Sequence, residues 1–328
     1  MRKLVLGIVV SAIFIYFSFR GVELDKVLRG IENTNFIFLI PVIILHLITP
    51  LLKAVRWGII LSPIERIPLK KLFPIICVGQ MAVVMIPVRV GELVRPYLVS
   101  SDSKVPLSSS IATILVERIF DLLTVLCISF LVACYAGDSV WFARIGYSLL
   151  AILIVSLLFV YLFYYKTEVM LRLSSPLLNR LSMKFRVQVE SLVHSFITGF
   201  KIMSSPKKII YVLLLSFVNW GCFGLGIFML LQFCNFQLSP IVAFVVLIST
   251  VIGISLPTAP GMVGNFHFAT IVALSLFGIS KSEALSFSIL FHFTAIGKHI
   301  LLGLIFLPLV QISFKDIIKR YGFVNERI

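Results

Sequence analysis

The sequence predicts an all-α polytopic membrane protein, with six full transmembrane helices and two opposed re-entrant helical hairpins arranged as an inverted repeat. Three observations point there. Hydrophobic residues make up 59% of the 328 positions and charged residues only 13%, with a mean hydropathy of +1.09, whereas soluble domains carry about 25% charged residues. Apolar runs long enough to cross a hydrocarbon core about 30 Å thick recur along the chain. Two of those runs are broken by prolines, glycines and charges, and the basic residues between runs fall mainly on one side.

The first run, 4–20, follows MRK and ends in FRGVE with no small-x-small cleavage site, so it reads as a retained helix and not as a signal sequence. Uninterrupted runs predict further helices at 36–52, 107–136, 145–165, 209–235 and 285–311. The other two differ. Residues 72–104 are apolar as far as Pro87, then carry PVRVGELVRPYLVS, and end in the polar SSDSK. Residues 240–279 contain SLPTAPGMVGNFH, where Pro257, Pro260, Gly261 and Gly264 break any continuous helix. Each reads as a hairpin that enters the bilayer and returns to the same face.

Loop charge supports that arrangement. With six crossings and two hairpins, most Lys and Arg, including Lys53 and Arg56 after the 36–52 helix, lie on one side with both termini and the loop 166–208. Only Arg20, Lys26, Arg29, Arg144 and Lys281 lie on the other. The positive-inside rule makes the first side cytoplasmic, which predicts a multi-pass protein of the inner membrane. The chain then reads as a single membrane domain, 1–328. It divides into an N-terminal helix and loop (1–35), a first repeat (36–136) and a linking helix with a basic segment (137–208). A second repeat (209–311) and a tail (312–328) follow. The two repeats share a layout in opposite orientations, a device of transporters. Val189, Val193, Phe196, Phe200 and Met203, spaced 4-3-4-3, predict an amphipathic helix on the cytoplasmic face.

The net charge of +15 does not indicate nucleic acid, because the basic residues are spread among the spans. Five cysteines without C-x-x-C spacing give neither a disulfide framework nor a zinc site. No metal-ligand set, P-loop, dinucleotide fingerprint or nucleophile elbow is present in the sequence, so no cofactor is expected.

The candidate site residues are the charges at bilayer depth, each costing several kcal/mol unless partnered or wet. Arg89, Glu92 and Arg95 are three apart and share a helix face beyond Pro87. Glu117 and Asp121 are four apart in LVERIFDLL, with Arg118 between them. One reading makes these six a self-neutralising network that holds the first hairpin to the following helix. The other leaves Arg89 or Arg95 to receive an anionic headgroup. At the second tip, Pro257, Pro260, Gly261 and Gly264 free backbone polar groups, and His267 is a candidate proton acceptor or headgroup ligand. His292 and His299, seven apart with Lys298 beside His299, form a weaker set. Gly221, Gly224 and Gly226 read as close helix-packing positions.

Taken together, PVRVGELVRPYLVS, ERIFDLL and LPTAPGMVGNFHFATIVALSLFGISKSEAL, with FHF soon after, resemble the membrane region of lysylphosphatidylglycerol synthases and its stand-alone flippase-like relatives. The resemblance covers most of 36–310 and carries no synthase domain. It implies a lipid flippase or translocase with no catalytic residues; the arginines of the first cluster point to an anionic or phosphate-bearing membrane lipid as the substrate, and assembly as a homo-oligomer is left open. Many relatives carry Glu at the position of His267 and Arg at that of His292, so these histidines depart from the family pattern. An intramembrane enzyme acting on lipid phosphate and a non-transporting scaffold are the alternatives.

Overall fold

Helix is the only regular structure among the described residues, as an apolar chain in lipid requires, because a helix satisfies its own backbone hydrogen bonds. A computed structural model describes residues 2–32, 34, 36–86, 91–135, 147–158, 205–256 and 259–310. Arg89, Pro257 and the amphipathic stripe from Val189 to Met203 lie outside these residues.

The helices are α1 (Arg2–Phe19), α2 (Leu24–Glu32), α3 (Leu39–Leu61), α4 (Leu69–Met85), α5 (Val94–Asp102), α6 (Leu107–Tyr135) and α7 (Tyr147–Leu158). They are followed by α8 (Pro206–Phe233), α9 (Pro240–Ser255), α10 (Asn265–Ser275), α11 (Lys281–His292) and α12 (Lys298–Phe306). A π-helical segment, Phe293–Gly297, joins α11 to α12, so helix continues from Lys281 to Leu309. That helix, α3 and α8 are long and apolar enough to cross a membrane. Exposed Ile40, Ile44 and Leu47 on α3 and Leu301, Leu304 and Ile305 on α12 give these helices outward apolar faces suited to lipid.

The expected helix boundaries hold at 107–136 and shift elsewhere. Helix α3 runs nine residues past the predicted end at 52, carrying Pro50, Lys53 and Arg56 inside it. The last helix starts four residues before 285, where Ser280 and Glu283 form a capping box that satisfies its first free N–H groups. Helix α2 was not legible as an apolar run because it is amphipathic; its Val27 is buried while Leu28 is exposed. Each segment expected as a hairpin holds two helices: α4 ends at Met85 and α5 begins at Val94, while α9 ends at Ser255 and α10 begins at Asn265.

The chain forms two compact units. In the unit made of residues 1–53, 70–98 and 219–328, α10 packs against α1, α9 and α11, and α11 also packs against α2. Ile227, Leu230, Val246, Phe266, Leu274 and Phe287 are buried in its core. Gly224 and Gly226 of α8 do act as close-packing positions, the first against the Phe244 ring and the second against His46, whereas a Cβ added at Gly221 would meet open space among the described residues. In the unit made of 54–69 and 99–218, Trp57 Nε1 donates to Thr113 Oγ1 at 3.0 Å, tying the end of α3 to α6.

Candidate functional site

Glu117 and Asp121 lie one turn apart on α6, so both carboxylates point the same way. What they meet is Arg56 of α3. Its Nη2 donates to Glu117 Oε1 at 2.7 Å and to Asp121 Oδ2 at 3.2 Å. Its Nη1 donates to Asp121 Oδ1 and to Ser216 Oγ, each at 2.7 Å. Arg56 is wholly buried and Glu117 and Asp121 nearly so. Arg118 stands at the edge, half exposed, with Nη1 3.7 Å from Asp121 Oδ2. The planar guanidinium offers its two ends to two carboxylates at once, a geometry a lysine could not reproduce.

Arg56 therefore corrects the sequence reading, which placed it in a loop. A charge inside an apolar helix is tolerated when a neighbouring helix supplies the opposite charge. The readable signal was the apolar WGIIL that resumes after Arg56, showing that the run does not end at Lys53.

In the first interrupted pair, Arg95 of α5 is buried and its aliphatic stem lies where a side chain on Gly79 of α4 would be. Gly91, at the break, sits against the Ala82 backbone just as closely. Two glycines thus let α5 and the residues just before it approach α4 closely. Glu92 is half buried.

In the second pair the break is made by Gly261 and Met262, both in the left-handed region (φ 76° and 59°), and by Gly264 (φ 91°). Neighbouring helices satisfy the freed polar groups, as irregular backbone in a bilayer demands. Ser11 Oγ of α1 accepts from Ala259 N at 2.7 Å, and Asn265 Nδ2 donates to Gly253 O at 3.2 Å. His292 Nε2 is 2.7 Å from Gly261 O, which makes the ring nitrogen the donor. His267 Nδ1 pairs with Ser288 Oγ at 2.9 Å, and the two imidazoles lie 5.0 Å apart between centroids. Pro260 opens the turn Pro260–Met262.

The structure separates His292 from His299. In an α-helix their seven-residue spacing would place them on one face, but the π-helical segment between them shifts that alignment. His292 reaches the second tip, whereas His299 lies within electrostatic reach of Lys298, Lys53 and His46. Lys298 itself is buried. Its Nζ donates to His46 O at 3.0 Å and to Thr49 Oγ1 at 2.9 Å, and lies 4.6 Å from the centre of the Phe223 ring. Pro50 explains the acceptor: it has no N–H to give the carbonyl four residues back, so His46 O is left for Lys298.

A helical membrane protein with two interrupted helix pairs and buried, hydrogen-bonded charges is the class these features define. The chain belongs to the family described as the lysylphosphatidylglycerol synthase TM region, which matches residues 4–303. It is similar to two UPF0104 membrane proteins of Methanocaldococcus jannaschii. One is 21% identical, over 98% of each chain. The other is 23% identical, over 69% of this chain and 93% of the relative. A UPF0104 membrane protein of Methanothermobacter thermautotrophicus is 23% identical over 85% of this chain and 86% of its own.

Proposed function

We propose that the protein is a translocase of the inner membrane that moves a lipid with an anionic or phosphate-bearing headgroup from one leaflet to the other. The observation that carries this is a repeated layout. Helices of 23, 17, 9 and 29 residues (α3 to α6) are followed later by helices of 28, 16, 11 and 29 (α8 to the helix ending at Leu309). Both times two shorter helices lie between two long ones. Interrupted helices at equivalent places in two halves are how secondary transporters build a midplane site.

In this reading both pairs are re-entrant hairpins entering from opposite faces, the termini are cytoplasmic, and the tips alternate access. Arg89, Glu92 and Arg95 receive the headgroup on one side. Pro257, Pro260, Gly261, Gly264 and His267 form the opposing gate, with His292 holding Gly261. Cationic groups on the path lower the cost of carrying a phosphate through hydrocarbon. No step requires a covalent intermediate.

Reconstitution tests it. Liposomes holding the full chain and acyl-labelled phosphatidylglycerol should show transbilayer movement, read by dithionite quenching, above that of protein-free liposomes. Arg89→Ala with Arg95→Lys should reduce the rate at least tenfold while the protein still elutes as a single species. Movement at the protein-free rate across anionic and zwitterionic lipids would sink the translocase reading, and release of a cleaved headgroup would replace it with an enzyme.

A further inference from the structure

Lys298 lies in the helix that ends the second half, and all its partners are neutral: a carbonyl, a hydroxyl and an aromatic face. Among the described residues no carboxylate pairs with it. A buried ammonium without a counter-charge is costly unless something supplies the negative charge. One further polar side chain stands beside the same aromatic ring, and another lies one turn away on its helix. His46 is 1% exposed, its ring is 5.8 Å from that of Phe223, and neither ring nitrogen has a hydrogen-bond partner. Its imidazole faces the backbone at Thr294, inside the π-helical segment, without hydrogen-bond geometry. Asn219 is also 1% exposed, stands one turn before Phe223 on α8, and leaves both Nδ2 and Oδ1 without a partner.

Two helices of one unit therefore bring an ammonium and an imidazole to one apolar ring on a third, with a carboxamide one turn from that ring along the same helix. Orphaned polar atoms at this depth are rare in folded proteins and mark a place where a ligand group can bond. The set is rich in donors, and Lys53 adds positive potential from α3. A π-helical turn in the same helix is a recurrent companion of binding sites.

We propose that Lys298, His46 and Asn219 form a buried anion site that takes the phosphate oxygens of a membrane lipid, with Phe223 beneath it. The site rests on the translocase reading for its ligand class: it would be the second half's holding point for the headgroup. In the lipid-bound state the ammonium exchanges one neutral contact for a phosphate oxygen, and the Asn219 amide and His46 N–H supply further donors. Net-anionic headgroups are favoured over zwitterionic ones, because a choline cation would add to the positive charge already present.

Native mass spectrometry of the full chain released from detergent micelles tests this. The expected result is one retained phosphatidylglycerol, preferred at least tenfold over phosphatidylcholine. Asn219→Asp changes no volume and sets a carboxylate near the ammonium, so retention should fall at least tenfold with the melting temperature unchanged or raised. Lys298→Met should lose retention, and Lys298→Arg should keep part of it. Retention by the Asn219→Asp and Lys298→Met chains equal to wild type overturns the site. Displacement of the lipid by millimolar inorganic phosphate, which then binds as tightly, overturns the lipid as its ligand. Binding is read without transbilayer movement, so a chain that binds but does not transport overturns the translocase reading and leaves the site standing.

Discussion

Arg56 and Lys298 are both buried cations in apolar helices, yet their surroundings differ in kind. Arg56 meets two carboxylates and a serine hydroxyl, while Lys298 meets a carbonyl, a hydroxyl and a phenyl ring. The first is electrostatically closed: both ends of the guanidinium are paired with carboxylates, and its buried Nε alone makes no hydrogen bond among the described residues. The second is open, with hydrogen bonds met but charge not. Depth in the membrane is thus a poor guide to which charged residue handles a ligand. The sign and number of the charges around it are a better one.

The comparison is broken most directly at Arg56. Arg56→Met strands Glu117 and Asp121 without their cation in a low-dielectric interior, which costs about 3 to 5 kcal/mol. The expected outcome is a large fall in thermal stability in detergent, or failure to accumulate. Adding Glu117→Gln and Asp121→Asn to Arg56→Met should restore most of that stability, because the charges vanish together. A triple variant as unstable as the single one would show that shape, and not charge, holds α3 to α6.

Ser216→Ala should have a smaller effect. The hydroxyl accepts from Nη1 and donates to Val212 O at 2.8 Å, and its loss leaves both carboxylates paired. A decrease of about 1 to 2 kcal/mol, the range for one hydrogen bond to a charged group, is expected by thermal denaturation in micelles. A loss as large as that from Arg56→Met would mean that the hydroxyl, and not the carboxylates, fixes the guanidinium.

How much of this could be read beforehand divides along the same line. The broken runs were legible because prolines, glycines and charges cluster in them, whereas a lone proline such as Pro50 is carried inside a helix; α4 ends at Met85 and α9 at Ser255. Glu117 and Asp121 were legible as a pair because four-residue spacing fixes a common helix face. Their partner was not. Arg56 and the two acids are 61 and 65 positions apart, and local periodicity says nothing about which helices become neighbours. Lys298 was visible beside His299, but its acceptor depends on Pro50, some 250 residues earlier (252 separate Lys298 from His46). The π-helical segment that parts His292 from His299 has no signature in composition.

The smallest expected effect is the sharpest test of the contrast. Lys298→Met in lipid-free detergent removes two hydrogen bonds to neutral groups, but it also removes the cost of keeping an ammonium out of water. Methionine fills a similar volume and packs readily against the Phe223 ring. The carbonyl of His46 keeps a donor in Thr49 Oγ1, 2.9 Å away, so no buried acceptor is stranded. Gain and loss are of similar size, and stability should change by no more than about 1 kcal/mol, in contrast to the several lost at Arg56. A drop of 3 kcal/mol or more would place Lys298 with Arg56 as a pin between helices and would erase the distinction between the two. A near-neutral result would leave the ammonium with no large structural role in the ligand-free protein, and the two buried cations would then differ in what they cost the fold as they differ in what surrounds them.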